Sequence, residues 1–527
     1  MKENIEKLIK EALKSVDLEA GAFVVEHPTD LKMGDYSTNV GIKTGKAKEI
    51  ITHLEAEPPS GVEKMELAGL GFINFYLSKK FFKESINEII EKGEDFGRNE
   101  NLKGEKTIIE YTDPNPFKEF HIGHLMSNTI GEAVSRIVEW NGSETRRACY
   151  QGDVGIHVAK AVWGILKGEE NPYPAGAKAY EEDETAKKEI KEINKKIYER
   201  SDEKINEIYD SGKKDSLKKF DVIYNKLGTK FDLMFFESES GTFGQRVVEE
   251  NIGKVFEKSD GAIIFRAEKY NPRLHTRVFI NSEGLPTYEA KELGIAKIKS
   301  EKYLYGRSIV ITGNEVNEYF KVVLEAMRQI FPELAEKTTH ISHGMLRLPS
   351  GKMSSRTGDV ITAEALIEEV KKKVKGNEAV AIGAIKYMIL RQAIGNDIVF
   401  DIEKSVSTEG DSGVYLQYAY ARTSSLLEKA KVSTWQVDTL MTGPTREIER
   451  LLYRFPEVVE RAEKEYAPHY ITTYLTELAS SFNNFYAHEQ IIDISPESPY
   501  RLAIAKAFNI VMKNGLTILG IPAPERM

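Results

Sequence analysis

The apolar positions of this chain change period several times, and each change marks a boundary. Over residues 1 to about 100, short helical and strand-like signals alternate, including the run Leu67 to Leu77, in which glycines precede alternating apolar residues. This predicts a small α+β unit. Lys106 to Tyr111 then reads as a compact β-branched strand, followed by the Pro-rich loop Asp113 to Pro116 and a helical pattern from about Gly123 to Trp140. Strand, loop and helix in that order predict a doubly wound parallel sheet with its ligand at the strand's carboxyl end.

From about Lys167 to Lys219 the sequence is rich in charge, and Ile190, Ile193 and Ile197 recur at spacings of three and four, which predicts a helical insertion. Strand-like pieces return at 262–265, 277–280 and 308–311, expected to form the second half of the sheet. Beyond about Ser412 strands nearly vanish. The segments 416–430, 444–466 and 470–486 have helical periodicity and predict an all-α bundle. The expected domains are therefore 1–100, 101–410 with its insertion at about 167–219, and 411–527.

Composition agrees with several globular domains. A chain of 527 residues is too long for one core, and 41% hydrophobic with 29% charged residues is too apolar for disorder. A single cysteine, Cys149, excludes an internal disulfide framework and a zinc site built from several thiolates. The charged start MKENIEKLIKEALK lacks the apolar centre of a signal peptide, and no apolar run approaches about 18 residues, so a cytoplasmic protein without membrane contact is expected. The net charge of −9 offers no global attraction for nucleic acid. From Asp411 onward there are twelve basic and fourteen acidic residues, so any RNA contact must come from local patches.

Two segments carry candidate chemistry. The first is His121-Ile-Gly-His124, directly after the Pro-rich loop and at the start of a helix. Composition alone would produce His-x-Gly-His about 0.014 times in such a chain. The histidines could be metal ligands, but no cysteine or carboxylate pair accompanies them. The alternative is phosphate recognition, with imidazole N–H groups and helix N-terminal amides meeting negative charge and Gly123 leaving room for a nucleotide. The second segment is Gly351-Lys-Met-Ser-Ser-Arg-Thr-Gly358, a glycine-bounded loop with a cation and several hydroxyls.

His-Ile-Gly-His followed by a KMSKS-like loop resembles the class I aminoacyl-tRNA synthetases, and further segments narrow the resemblance to the arginyl enzymes. These are Glu110 to His124, Gly152-Asp-Val-Gly-Ile-His157, Pro286 to Leu293, Gly413 to Arg422, Ala523 to Met527 and, near the start, Gly34 to Asn39 and Gly71 to Phe75. The resemblance implies a Rossmann-type doubly wound parallel-sheet catalytic core, a small α+β N-terminal domain and an all-α C-terminal anticodon bundle. It implies an arginine–tRNA ligase using ATP with Mg²⁺, no zinc and no metal ligand from protein side chains, acting on L-arginine and tRNA(Arg) as a monomer. It implies too that tRNA is needed for the adenylate step.

Carried over residue by residue, Lys118, His121, Gly123, His124, Met345, Lys352, Met353, Ser354 and Ser355 serve ATP and catalysis. Glu110 and Asn115 handle arginine's ammonium and carboxylate end, Tyr288 and Glu292 reach its guanidinium, and Asp113, Asp153 and His157 serve the same cleft, with a structural role equally open for Asp153 and His157; Asn74, Phe75, Tyr415, Tyr418 and Met527 touch tRNA. An acidic pocket suits a guanidinium, a planar cation with five fixed donors. Three departures stand out. Glu292 replaces a more usual Asp, and Asp113 replaces a small hydroxyl. Ser355 stands where KMSKS has its second lysine, which makes Lys118 the expected substitute cation and Arg356 its competitor. A free-standing nucleotidyltransferase would leave the long α-helical tail without a role. A non-catalytic scaffold would not need His121, His124 and Lys352.

Overall fold

The computed structural model describes residues 1–19, 21–349, 361–430 and 443–527. Residues near the start build a four-stranded antiparallel sheet covered by helices Lys2–Ser15 and Ala47–Ala56. Its strand Phe72–Leu77 lies between Tyr36–Thr38 and Val62–Ala68. That central place corrects one expectation. Phe75 is fully buried among Ile5, Ile9, Tyr36 and Ile73, and Asn74 is buried with its Oδ1 accepting from Ser37 Oγ at 2.7 Å. Neither side chain can reach RNA without unpacking the unit; the apolar residues exposed near the hairpin tip are Leu67, Leu70 and Phe72.

The central sheet has five parallel strands: β1 (Lys106–Glu110), β2 (Glu144–Gln151), β3 (Leu233–Phe236), β4 (Arg307–Gly313) and β5 (Thr338–His343), in the order β5-β4-β1-β2-β3. Glu110 pairs in register with Val310 on one side and Ala148 on the other. Strand order reverses at β1 and β4, which opens a crevice beyond their carboxyl ends. The segments at 262–265 and 277–280 do not extend this sheet. With Glu257–Ser259 they form a separate antiparallel sheet, and Val278 is exposed there. A strand wet on one face suits an antiparallel sheet; a central parallel strand is buried on both.

Five helices place the site: α1 (Ile122–Trp140), α2 (Ile156–Lys167), α3 (Glu203–Leu227), α4 (Glu237–Glu250) and α5 (Tyr288–Lys302). Helices α4 and α5 cross at two glycines. A Cβ on Gly244 would lie 1.8 Å from the Ala290 carbonyl oxygen, and one on Gly294 would lie 2.0 Å from that of Ser240. Only glycine permits this approach, which sets the start of α4 beside the first turns of α5. The charge-rich segment folds as three helices, with Ile190, Ile193 and Ile197 buried on its inner face.

Beyond β5, α6 (Glu378–Leu390) and α7 (Gly413–Ala430) lead into helices Glu447–Leu452, Phe455–Lys464, His469–His488 and Ser498–Ile518. One apolar core runs continuously from α1 into this bundle. Buried Lys386 joins the parts, donating to the carbonyls of Leu227 and Gly520 at 2.7 Å each, and burial lowers its ammonium to about 7. Among the described residues no helix is long and apolar enough to cross a membrane.

Candidate active site

The loop leaving β1 is strained. Thr112, Asp113 and Phe117 all have positive φ, at 81°, 45° and 69°, which side chains other than glycine rarely adopt. Each is held from outside the loop. Thr112 N donates to Ser127 Oγ at 2.9 Å, Tyr150 N donates to Asp113 Oδ1 at 2.7 Å, and Phe117 N donates to Ser216 Oγ at 2.9 Å. The loop delivers Asn115, Lys118 and the histidine pair to the crevice.

His121 is the N-cap of α1. Its Nδ1 accepts from the amides of Gly123 at 3.1 Å and His124 at 3.4 Å, while its own amide donates to His124 Nδ1 at 3.3 Å. The rings stack at 3.6 Å. A Cβ at Gly123 would lie 2.9 Å from the His121 ring, so glycine is needed to admit that ring. This refines the phosphate expectation. The two helix amides are already used by His121, and because both Nδ1 atoms accept, a neutral ring carries its proton on Nε2. Burial, together with the nearby Lys118 ammonium, lowers His121 to about 4, and His124 is held well below its ordinary value by burial, then by His121 and Lys118. Both rings are neutral N–H donors at pH 7. Lys118, lowered by burial and by Lys160, lies 5.2 Å over the Tyr173 ring.

The residues after the second signature are stitched to the first. Ile122 N donates to the Ile361 carbonyl at 3.2 Å, and Ala363 N to that of Phe120 at 2.8 Å. Met345, on the approach to that signature, is exposed, and its amide donates to Asp397 Oδ1. Lys352, Met353, Ser354, Ser355 and Arg356 lie outside the described residues.

Carboxylates gather at the end of β1. Glu110 is buried and pairs with buried Lys299 of α5 at 3.0 Å. Glu292, two turns before Lys299 on the same helix, is pushed up to about 8 by burial and by Glu110, with Lys299 opposing. Asp113 is raised too, by burial and then by Glu110, with Glu292 adding. Three carboxyl groups thus share one ammonium, and burial and mutual repulsion hold two of them toward the protonated form. Tyr288, one turn before Glu292, is half exposed, and Lys291 Nζ lies 5.2 Å over its ring.

Glu237 at the start of α4 closes a second side. It ion-pairs with Lys291 at 2.5 Å, both buried. A Cβ on Gly152 would lie 3.2 Å from Glu237 Oε1 and 2.2 Å from Asn115 Oδ1, so the three residues share one small space. Of the two residues expected to serve arginine from the turn after β2, Asp153 has its carboxylate fully engaged within the protein, and His157 braces the turn through one ring nitrogen. The Asp153 carboxylate is fully buried and accepts from Tyr209, Lys213 and Ser238, and His157 Nε2 donates to the Gly152 carbonyl at 2.8 Å, its ring lowered to about 3 chiefly by burial. Both Asp153 oxygens are engaged within the protein, whereas a neutral His157 donating through Nε2 keeps Nδ1 as an acceptor. Sequence reading missed Glu237, Lys291 and Lys299. Glu237 follows β3 directly, at a strand's carboxyl end, and that position was its available signal.

At the far end of the molecule a cavity of about 430 Å³ joins Tyr418, Arg422, Tyr486, Arg526 and Met527. The Arg422 guanidinium lies 4.6 Å over Tyr418 and 5.4 Å over Tyr486, and both rings are exposed. Tyr415 is half-buried, its hydroxyl accepting from Asn483 at 2.9 Å. Tyr486 and Arg422 were not singled out from the sequence.

Comparison with known proteins covers the whole chain. Family models match as tRNA synthetases class I (R), catalytic domain, over residues 85–402, as DALR anticodon binding domain over 416–527, and as arginyl tRNA synthetase N terminal domain over 3–77. An arginine–tRNA ligase of Streptococcus pneumoniae strain CGSP14 is 30% identical, and one of Halothermothrix orenii 29%, each over all of this chain and at least 99% of the relative. In fold, the chain is similar to the arginyl-tRNA synthetase of Thermus thermophilus (TM-score 0.77, 23% identity, all of both chains). It is similar also to that of Plasmodium falciparum (TM-score 0.80, 19% identity, all of this chain and 99% of the other).

Proposed function

The chain belongs to the arginyl-tRNA synthetase family, class I enzymes that use ATP to join arginine to tRNA, and we propose a division of labour among its residues on that premise. Glu110 and Glu292, with Asp113 beside them, receive the guanidinium, and Tyr288 covers it. Asn115 and Glu237 meet the substrate's ammonium end. His121 and His124 donate through Nε2 to the ATP phosphates, with Lys118 as the adjoining cation. The arginine carboxylate attacks the α-phosphorus, pyrophosphate leaves, and the terminal ribose hydroxyl of tRNA(Arg) then displaces AMP from the adenylate.

The chain's work here is positioning and charge neutralisation, with no covalent enzyme intermediate. Mg²⁺ enters this proposal with ATP. The ATP phosphates would carry the ion, and it would supply further charge neutralisation there. The observation that carries the reading is the acidic pocket at the end of β1, three carboxyl groups around one ammonium, two of which a guanidinium would draw into their ionised forms. We further propose a cytoplasmic monomer, to be checked by light scattering.

The direct test is ATP–pyrophosphate exchange across amino acids, with and without tRNA. Exchange is expected only with arginine and only when tRNA is present. Full-rate exchange without tRNA would remove the tRNA requirement, and exchange driven better by another amino acid would remove the pocket assignment.

In the bundle, Tyr418 and Met527 are proposed to meet anticodon bases, with Tyr486 and Arg422 beside them. Tyr418→Ala should cost about 1 to 3 kcal/mol in tRNA recognition while leaving Tm unchanged, since its ring is exposed. Tyr415→Ala should lower Tm as well, because it breaks the bond from Asn483. Unchanged aminoacylation at limiting tRNA in Tyr418→Ala would remove that role.

A further inference from the structure

One face of α3, the last insertion helix, points at the loops just described. Tyr209, Gly212, Lys213 and Ser216 fall at i, i+3, i+4 and i+7, the spacing of a single helical face. Lys213 Nζ and the Tyr209 hydroxyl donate to Asp153 Oδ2 at 2.6 and 2.8 Å, and Lys213 Nζ also sits 3.6 Å over the Phe236 ring. Ser216 Oγ accepts from the amide of strained Phe117. The Phe117 ring stacks on Tyr209 and fills the place of a side chain at Gly212, where a Cβ would lie 2.2 Å from Phe117 Cε1.

This pattern is costly for a helix that only covers a core. Glycine in a helix interior weakens it, and an ammonium set against a fully buried carboxylate is desolvated. Both features contact the two loops that carry substrate-facing groups. Asp153 follows Gly152, which touches the space shared by Asn115 and Glu237, and Asp153 also binds the amide and hydroxyl of Ser238, next to Glu237. Phe117 lies between Asn115 and Lys118.

We infer that the insertion is a working part of the activation site: this face of α3 holds the Asp113–Lys118 loop and the Gly152–Asp153 turn in one register, and Lys213 is a positioning residue for arginine activation. The inference rests on the arginine-activation reading above. Lys213 touches no reacting atom; it fixes the Asp153 carboxylate, and through it the spacing of Asn115 and Glu237 around the substrate's ammonium end.

The test uses full-length enzyme with tRNA present, reading arginine-dependent pyrophosphate exchange and Tm. Lys213→Met should raise the arginine KM at least about tenfold and lower kcat, with the ATP KM within about twofold of wild type. Lys213→Arg keeps the charge and should return to within about threefold of wild type. Ser216→Ala, a mild change on a helix, should raise the arginine KM about three- to tenfold with Tm unchanged. Wild-type arginine kinetics in Ser216→Ala, or in a folded Lys213→Met, would overturn the inference. So would equal losses toward ATP and arginine. A wild-type enzyme without arginine-dependent exchange would instead remove the activity assignment itself, a failure distinct from active wild type matched by its variants.

Discussion

Lys118→Ala is expected to slow adenylate formation by about 10² to 10³, the usual size for losing one preorganised electrostatic donor, with arginine binding little changed. The second signature has Ser355 where the family pattern has a lysine, so under the proposed division of labour one cation fewer would face the phosphates as pyrophosphate leaves. Lys118 stands near the histidine pair, its ammonium adding to the burial that depresses both imidazoles, and it is partly desolvated, where one charge acts more strongly than in water. Ser355→Lys in the Lys118→Ala background should recover part of the rate, because the two ammonium groups would serve one phosphate. Single-turnover activation measures this. A normal rate in Lys118→Ala would move the role to Arg356.

Glu292→Gln is expected to raise the arginine KM by about 10²- to 10³-fold, leaving the ATP KM nearly unchanged. The substitution keeps the shape and removes the charge that the bound guanidinium would face, a loss of roughly 3 to 5 kcal/mol for a desolvated pair. The same group gives a pH signature. With its carboxyl at about 8 in the free enzyme, Glu292 is mostly protonated at pH 7, yet it must be ionised to pair with arginine. Binding therefore releases a proton, and the arginine KM should fall about tenfold per pH unit up to about pH 8 and level off above it. Glu292→Gln should flatten the profile. Equal changes in both KM values, or a flat wild-type profile, would sink the assignment of Glu292 to the guanidinium.

Local pattern carried the reading far in some places. The β-branched strand before a Pro-rich loop is β1, and the following helix begins at Ile122, one residue before the expected Gly123, with His121 as its N-cap, because an N-cap is a local hydrogen-bond problem. The isoleucine spacing at 190, 193 and 197 is a buried helical stripe. Helix Ser498–Ile518 escaped notice for the opposite reason: buried on nearly all sides, it has no polar face to reveal its period. The strand-like runs at 262–265 and 277–280 announced strands correctly but not their sheet, since a short apolar run says nothing about which neighbour supplies its hydrogen bonds.

The sequence by itself determined the types of element, the parallel-sheet architecture, the two signatures and, through whole-chain resemblance, the family. Only the tertiary structure decided which charges share a space. Glu110, Asp113, Glu292 and Lys299 come from a strand end, a loop and a later helix, and Glu237 meets Lys291 because two glycines let α4 and α5 close to contact. The same holds for Phe75, whose alternating strand pattern left both faces possible until a second strand and two helices covered one of them. Periodicity records how a segment meets water. Burial, pKa and pairing depend on segments far away in the chain, and those are set only when the chain packs.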